Sequence, residues 1–163
     1  RSRQALYRSG LAGWAFPTSS IEMGCALVSR PCLRSSVVQP HFVRAVLLVL
    51  GHDASGTVGL ILNKPTTLQL AQLGPSKAWP PPFESRDLFF GGDTGEEMVL
   101  VHGHRDLGVG DEVAEGVMVC RGVEEIANAV REAKSEEKPM DSFRWHQGTC
   151  YWSAGQLAHE VHE

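Results

Sequence analysis

Acidic residues are almost missing from the first third of this sequence. Glu22 is the one acid before Asp53, against six arginines: Arg1, Arg3, Arg8, Arg30, Arg34 and Arg44. That stretch carries +5 and the remainder −9, within a net charge of −4. The arginines form no dense stripe, so a nucleic-acid-reading surface is not expected. Long apolar runs are missing too. The longest, residues 45–50, stops at Gly51-His52-Asp53, far short of the ~20 residues of a membrane helix. The four cysteines, Cys25, Cys32, Cys120 and Cys150, show no CxxC spacing, which argues against a zinc ribbon or finger. Buried, unpaired thiols are the expected state, as in a reducing compartment.

Catalytic signatures are equally scarce. Gly51-His52-Asp53-Ala54-Ser55-Gly56 is followed by Thr57-Val58 and not by the Lys-Ser/Thr that reaches nucleotide phosphates, so it reads as a hairpin turn. There is no Gly-x-Ser-x-Gly. His52 and Asp53 are chain neighbours whose side chains point apart on an extended strand, which rules out a dyad. His102 and His104, spaced i, i+2, share a strand face as two metal ligands do. No third ligand is marked by spacing, so neither a metal nor a cofactor is expected.

What is present supports a packed core. The chain has 163 residues, 42% hydrophobic and 21% charged, enough to bury roughly 70% of its unfolded surface. Residues 23–28 read as a strand; 43–50 and 57–62 read as two further strands paired antiparallel through the 51–56 turn. Asn63-Lys64-Pro65 ends the second of these, and Thr66 or Thr67 is expected to cap a short helix carrying Leu68, Ala71 and Leu73. Four prolines hold 74–85 as an extended loop. Residues 88–90, 98–101, 116–120 and 143–152 read as strands. The spacing predicts a helix over 123–134 that buries Val123, Ile126 and Val130. Ser153 and Gln156 have capping-box spacing before a final short helix with Leu157 and Val161 to bury. Strands outnumber helices and hairpins dominate, so α+β is favoured over a doubly wound sheet.

Residues 1–20 stand apart. Three arginines, four serines and no acid give this arm the balance of an organelle transit peptide's end, or of an exposed arm. Tyr7, Leu11, Trp14 and Phe16 are large groups in a segment without helical or strand periodicity. Such a segment cannot bury enough surface alone to offset ordering at about 1–2 kcal/mol per residue. These four are therefore candidate partner-binding residues. The division expected is an arm over 1–20 and a domain over 21–163.

From Glu22 onward several segments stand in one recognisable order. Val43-Arg44-Ala45-Val46-Leu47-Leu48 leads to His52, then Gly59-Leu60-Ile61-Leu62-Asn63-Lys64-Pro65-Thr66. Leu88-Phe89-Phe90-Gly91-Gly92, Val99-Leu100-Val101-His102 and Trp152-Ser153-Ala154-Gly155-Gln156-Leu157 follow. In this order and spacing the sequence resembles the YqgE/AlgH family, found in bacteria and in plastid-bearing eukaryotes. The resemblance implies an α+β fold with an antiparallel-rich bifurcated sheet, part of it closed like a small barrel, surrounded by helices. It implies no established enzymatic activity and no cofactor. Two loops depart from the family's pattern. A Gly-Gly-Pro-Val turn is replaced by Gly91-Gly92-Asp93-Thr94, and Gly-Tyr-Ala-Gly-Trp by Gly148-Thr149-Cys150-Tyr151-Trp152. The sequence also stops before a tryptophan-containing stretch usual in the family, so a truncated C-terminus is expected.

Two functions are compatible with these features. The favoured one is a non-catalytic accessory or protein-interaction subunit of a larger assembly in the chloroplast. It would bind other protein chains and no nucleic acid, and reach a membrane surface only through that complex. The alternative is a small-molecule-binding protein or hydrolase, cytoplasmic or plastid, in which His52, Asn63 and His102 converge at a pocket.

Overall fold

The computed structural model describes residues 20–29, 39–73 and 83–162. The residues expected to meet a partner, Tyr7, Leu11, Trp14 and Phe16, lie outside them. Among the described residues nine strands and two α-helices follow in order. The strands are β1 (Ala26–Val28), β2 (Val46–Asp53), β3 (Gly56–Ile61), β4 (Pro65–Gln69) and β5 (Asp87–Phe90), then β6 (Thr94–His102), β7 (Asp111–Ala114), β8 (Val117–Arg121) and β9 (Phe143–Ser153). The helices are α1 (Val123–Ser135), between β8 and β9, and α2 (Gln156–His162) after β9. No helix among the described residues is long and apolar enough to cross a membrane.

The sheet runs β1-β2-β3-β9-β6-β8-β7, and β5 joins β9 from the side with β4 beyond it. Strand β9 makes the bifurcation. One of its edges pairs along its length with β6, from Phe143 opposite His102 to Thr149 opposite Thr94. The other edge is divided: residues 145–147 pair in parallel with β5, and 150–153 antiparallel with β3. The sheet curls into a half-barrel. At its two ends Gly24, left-handed at φ 86°, lies so close to β7 that a Cβ there would sit 2.5 Å from the Val113 carbonyl oxygen.

Alternation along the strands produces three cores. Leu48 and Leu50 face the half-barrel interior with Leu60, Val99, Val113 and Val119. Leu47 and Val49 face the opposite way, packing with Ile61, Cys150, Trp152 and Leu157 under α2. This is why 46–50 is continuously apolar: both faces are covered. The third core lies under α1, where Leu88, Leu100, Cys120, Phe143 and Trp145 meet Ile126, Ala129, Val130 and Ala133. Phe83 stacks edge-on to Phe143 and Trp145 at centroid distances of 5.7 and 5.4 Å.

The hairpin expected over 43–50 and 57–62 is antiparallel, with a bulge between Val49 and Gly51, but its first strand begins at Val46 because residues 43–45 form a turn. The hairpin turn is tighter than expected, because β2 continues through His52 to Asp53. Asp53 Oδ1 accepts from the Ser55 and Gly56 backbone N–H at 2.7 and 3.3 Å, closing it.

Three expectations are corrected. Residues 65–69, with Leu68, form strand β4, and the short helix expected there is confined to a 3-10 turn over Leu70–Leu73 that carries Ala71 and Leu73. Thr66 does not cap: its Oγ1 donates to the Leu88 carbonyl at 2.8 Å and accepts from Leu68 N–H at 3.0 Å. Pro65 is tolerated as the first residue of a strand that pairs on one side, with β5. Helix α1 is present, but Val123 is 66% exposed. Its buried stripe is Ile126, Ala129, Val130 and Ala133. Ala129 and Ala133 are fully buried in the core beneath the helix. In α2, Val161 is exposed. The helix is tied down instead by Leu157 and by Trp152 Nε1, which donates to Glu160 at 3.0 Å.

Candidate functional site

His52, Asn63 and His102 do not converge. Asn63 is bonded to Val46 at the start of β2, whereas His52 is six residues on, about 20 Å away along the strand. His52 stands opposite Thr57, which in turn stands opposite Trp152. His102 stands opposite Phe143, nine residues and about 30 Å from Trp152 along β9.

Each of the three serves its own surroundings. His52 Nδ1 lies 2.7 Å from the Thr57 hydroxyl near the hairpin tip. His102 is buried, its Nδ1 accepting from His104 N–H at 3.2 Å and its Nε2 3.6 Å from Cys120 Sγ. Burial and then the neighbouring His104 hold its pKa down. His104 Nε2 lies 2.6 Å from Ser142 Oγ, and that hydroxyl donates to the Pro139 carbonyl at 2.5 Å. With its proton directed at Pro139, Ser142 is a link between loops, not a nucleophile facing a base.

Asn63 has a definite task. Phe42–Ala45 is a type II turn, closed by Ala45 N–H to the Phe42 carbonyl at 3.2 Å, with Val43 at φ −61°, ψ 119° and Arg44 left-handed at φ 53°. Asn63 Nδ2 donates to the Arg44 carbonyl and its Oδ1 accepts from Val46 N–H, both at 2.8 Å. Lys64 Nζ donates to the Val43 carbonyl. The Asn63-Lys64 pair thus holds one turn in place from across the sheet end. Just before the turn stands His41, whose ring packs on Phe42 and Phe90 and whose Nε2 lies 3.6 Å from Asp93.

Asp93 belongs to one of the two departing loops, and the loops adjoin. Gly91 N–H donates to the Gln147 carbonyl at 2.8 Å, and Thr149 pairs with Thr94. A Cβ on Gly92 would fall 2.1 Å from the Thr149 carbonyl carbon, so the junction is backbone against backbone, without space for a side chain.

The remaining reactive groups are muted. Burial pushes the Cys120 and Cys150 thiols up to about 12, with Glu125 and Asp111 adding to the first and Asp93 to the second. Burial pushes His146 down to about 4, and the Arg144 charge acts the same way while the Ile61 carbonyl opposes it. His146 is fully buried in β9, with neither ring nitrogen hydrogen-bonded. A histidine between Trp145 and Gln147 carries no spacing signal, so the sequence offers it only as a conceivable partner for His102 and His104, from which it lies apart. An open depression over the first turn of α1, lined by Gly108, Gly110, Arg121, Gly122, Glu125 and Asn128, was equally unmarked. Glu124 and Glu125 at that helix start make it unfavourable for an anion. Among the described residues no three His, Cys, Asp or Glu side chains are grouped as a metal would need.

Fold and site together define an α+β half-barrel protein whose signature residues secure turns. A family model described as AlgH-like matches residues 31–163. The UPF0301 protein AlgH of Pseudomonas aeruginosa is 26% identical over 129 residues, 77% of this chain and 66% of that protein. A UPF0301 protein of Streptomyces avermitilis is 31% identical over 144 residues, 86% of this chain and 70% of that one. The crystal structure of DIP2367 from Corynebacterium diphtheriae superposes with a TM-score of 0.62 at 20% identity, covering 90% of this chain and 74% of that one. The solution structure of Pseudomonas AlgH gives 0.57 at 21%, covering 91% and 77%. The chain belongs to the AlgH-like family. It spans 66% of the length of Pseudomonas AlgH and 59% of that of a Nocardia farcinica relative.

Proposed function

We propose that this AlgH-like chain is a non-catalytic interaction subunit of a larger assembly, located in the chloroplast. The observation that carries the reading is the outer edge of β1. This strand ends the sheet and has no second strand partner among the described residues. Val28 is 73% exposed on it, and Met23, in the turn before it, is 52% exposed. An open edge strand with apolar side chains offers both backbone groups and contact surface to another chain. The aromatic- and arginine-bearing arm, residues 1–20, precedes it in sequence by five residues. The high pKa values of Cys120 and Cys150 and the separation of His52, Asn63 and His102 support an interaction role over catalysis.

Deletion of residues 1–20 tests the proposal. Co-purification with the assembly from plastid extracts is expected to be lost, with the melting temperature of the chain changed by less than about 2 °C. Association that survives the deletion while the melting temperature falls by many degrees would assign the arm to the core and overturn the reading.

A further inference from the structure

Arg44 occupies a position that its backbone does not favour. The third residue of a type II turn must take positive φ, and glycine or asparagine fills it at little steric cost. Arg44 stands there at φ 53°. Glu137 is the other non-glycine residue with positive φ among those described, and its conformation has a local cause. It ends α1 in a Schellman motif, with Lys138 N–H on the Ala133 carbonyl at 2.9 Å and Glu137 N–H on that of Lys134 at 3.2 Å. Arg44 ends no α-helix. It is held in place by Asn63 through its carbonyl and by Lys64 through the carbonyl before it.

Its side chain is exposed and makes no hydrogen bond or ion pair among the described residues. Arg105 pairs with Glu112 at 2.9 Å, Arg121 with Asp111 at 3.3 Å and Lys138 with Asp106, whereas Arg131 and Lys134 share the unpaired state of Arg44 among the described residues but stand on unstrained helix backbone. A strained residue kept by its surroundings, with an unused guanidinium, is the pattern of a binding group and not of a structural one.

We propose that Arg44 is the anchor by which this chain grips an acidic peptide segment of a partner protein. The proposal rests on the interaction role above and gives it a recognition chemistry. A guanidinium presents two parallel N–H donors that match one carboxylate. Lys64 is committed to the Val43 carbonyl and Asp93 lies beside His41, so the surface has one fork and not the several cations that cradle a phosphate. The clamped turn fixes the fork before contact, which reduces the ordering cost of binding.

The test is a titration of the full chain with a hexaglutamate peptide in low salt, followed by NMR on the Arg44 side-chain Nε–H and the Ala45 amide. Both signals are expected to move and saturate. Arg44→Gly should weaken the binding read at Ala45 at least tenfold and raise the melting temperature by roughly 2–4 °C, because the strain is gone. Arg44→Lys should weaken binding severalfold with no gain in melting temperature. Equal binding by the glycine variant, or no response at residues 43–45 in the wild type, overturns the proposal. The measurement needs only the purified chain, so loss of the wider subunit role through the arm deletion would leave it standing.

Discussion

At the scale of single residues, the chain places its ionisable groups where they hold structure, and the clearest cost falls on His146. The folded protein holds that imidazole near 4, while an unfolded chain releases it to the ordinary 6.5. Above pH 6.5 the ring is neutral in both states and has no effect on the balance. Between 6.5 and about 4 the unfolded chain takes up a proton that the folded one refuses, so stability falls as the pH is lowered. Below 4 both are charged and the loss levels off. His146→Phe removes this dependence together with two buried ring nitrogens that lack hydrogen bonds. Urea unfolding at pH 7 and pH 5 should show wild type losing about 2 kcal/mol more than the variant over that interval. Parallel losses would mean that the ring finds a proton-stabilising partner when folded. His102 pulls in the same direction, since burial lowers its pKa too.

At the scale of elements, α1 shows where sequence reading succeeds and where it slips. Its existence and limits follow from periodicity, from Glu124 and Glu125 in the first turn, and from the Pro139 stop. Its phase does not, because a stripe through Val123 and one through Ala129 and Ala133 share Ile126 and Val130 and differ only in residues that spacing cannot rank. Val123 and Ile126 fit one stripe on paper, yet in the fold the stripe passes through Ala129 and Ala133. Ile126→Ala should therefore cost roughly 2–5 kcal/mol, and Val123→Ala less than about 0.5 kcal/mol, in chemical denaturation. Similar costs at both positions would restore the sequence-based phase. Strand β4 failed differently. Leu68, Ala71 and Leu73 suit a helix locally, and Leu70–Leu73 does close into a 3-10 helix, but as far as Gln69 pairing with β5 and the Thr66–Leu88 bond impose extension. Asn63 was legible as an important residue, but as a pocket group. Its role as a clamp on Arg44 and Val46 depends on two segments that meet in space, and no spacing within one segment encodes that. The Phe42–Ala45 turn stayed hidden for the opposite reason: arginine at a left-handed position contradicts the residue preference used to find such turns.

At the scale of the whole molecule, the α+β class and the bifurcated sheet were accessible through the family resemblance, whereas the pairing of β9 with three strands was not written in local patterns. That pairing makes β9 the element on which all else depends. Its residues enter the core under α1 through Phe143 and Trp145, and the core under α2 through Cys150 and Trp152. The two halves are therefore linked by one continuous backbone ladder, and the chain should unfold as a unit. Hydrogen exchange is the suitable measurement, since protection free energies separate local from global opening. Amides of β9 should exchange only by global unfolding, while those of β1 and β4, at the margins of the sheet, exchange through smaller openings. Trp145→Ala removes a fully buried side chain from the α1 core and should cost about 3–5 kcal/mol. If the ladder couples the halves, protection in the remote β2–β3 hairpin falls by the same amount as in α1, although neither hairpin strand contributes a residue to that core. Unchanged protection in β2 and β3 would show two independently stable halves joined at β9. Equal losses would identify the strand as the common element through which strain at the Arg44 turn and packing under α1 draw on one stability.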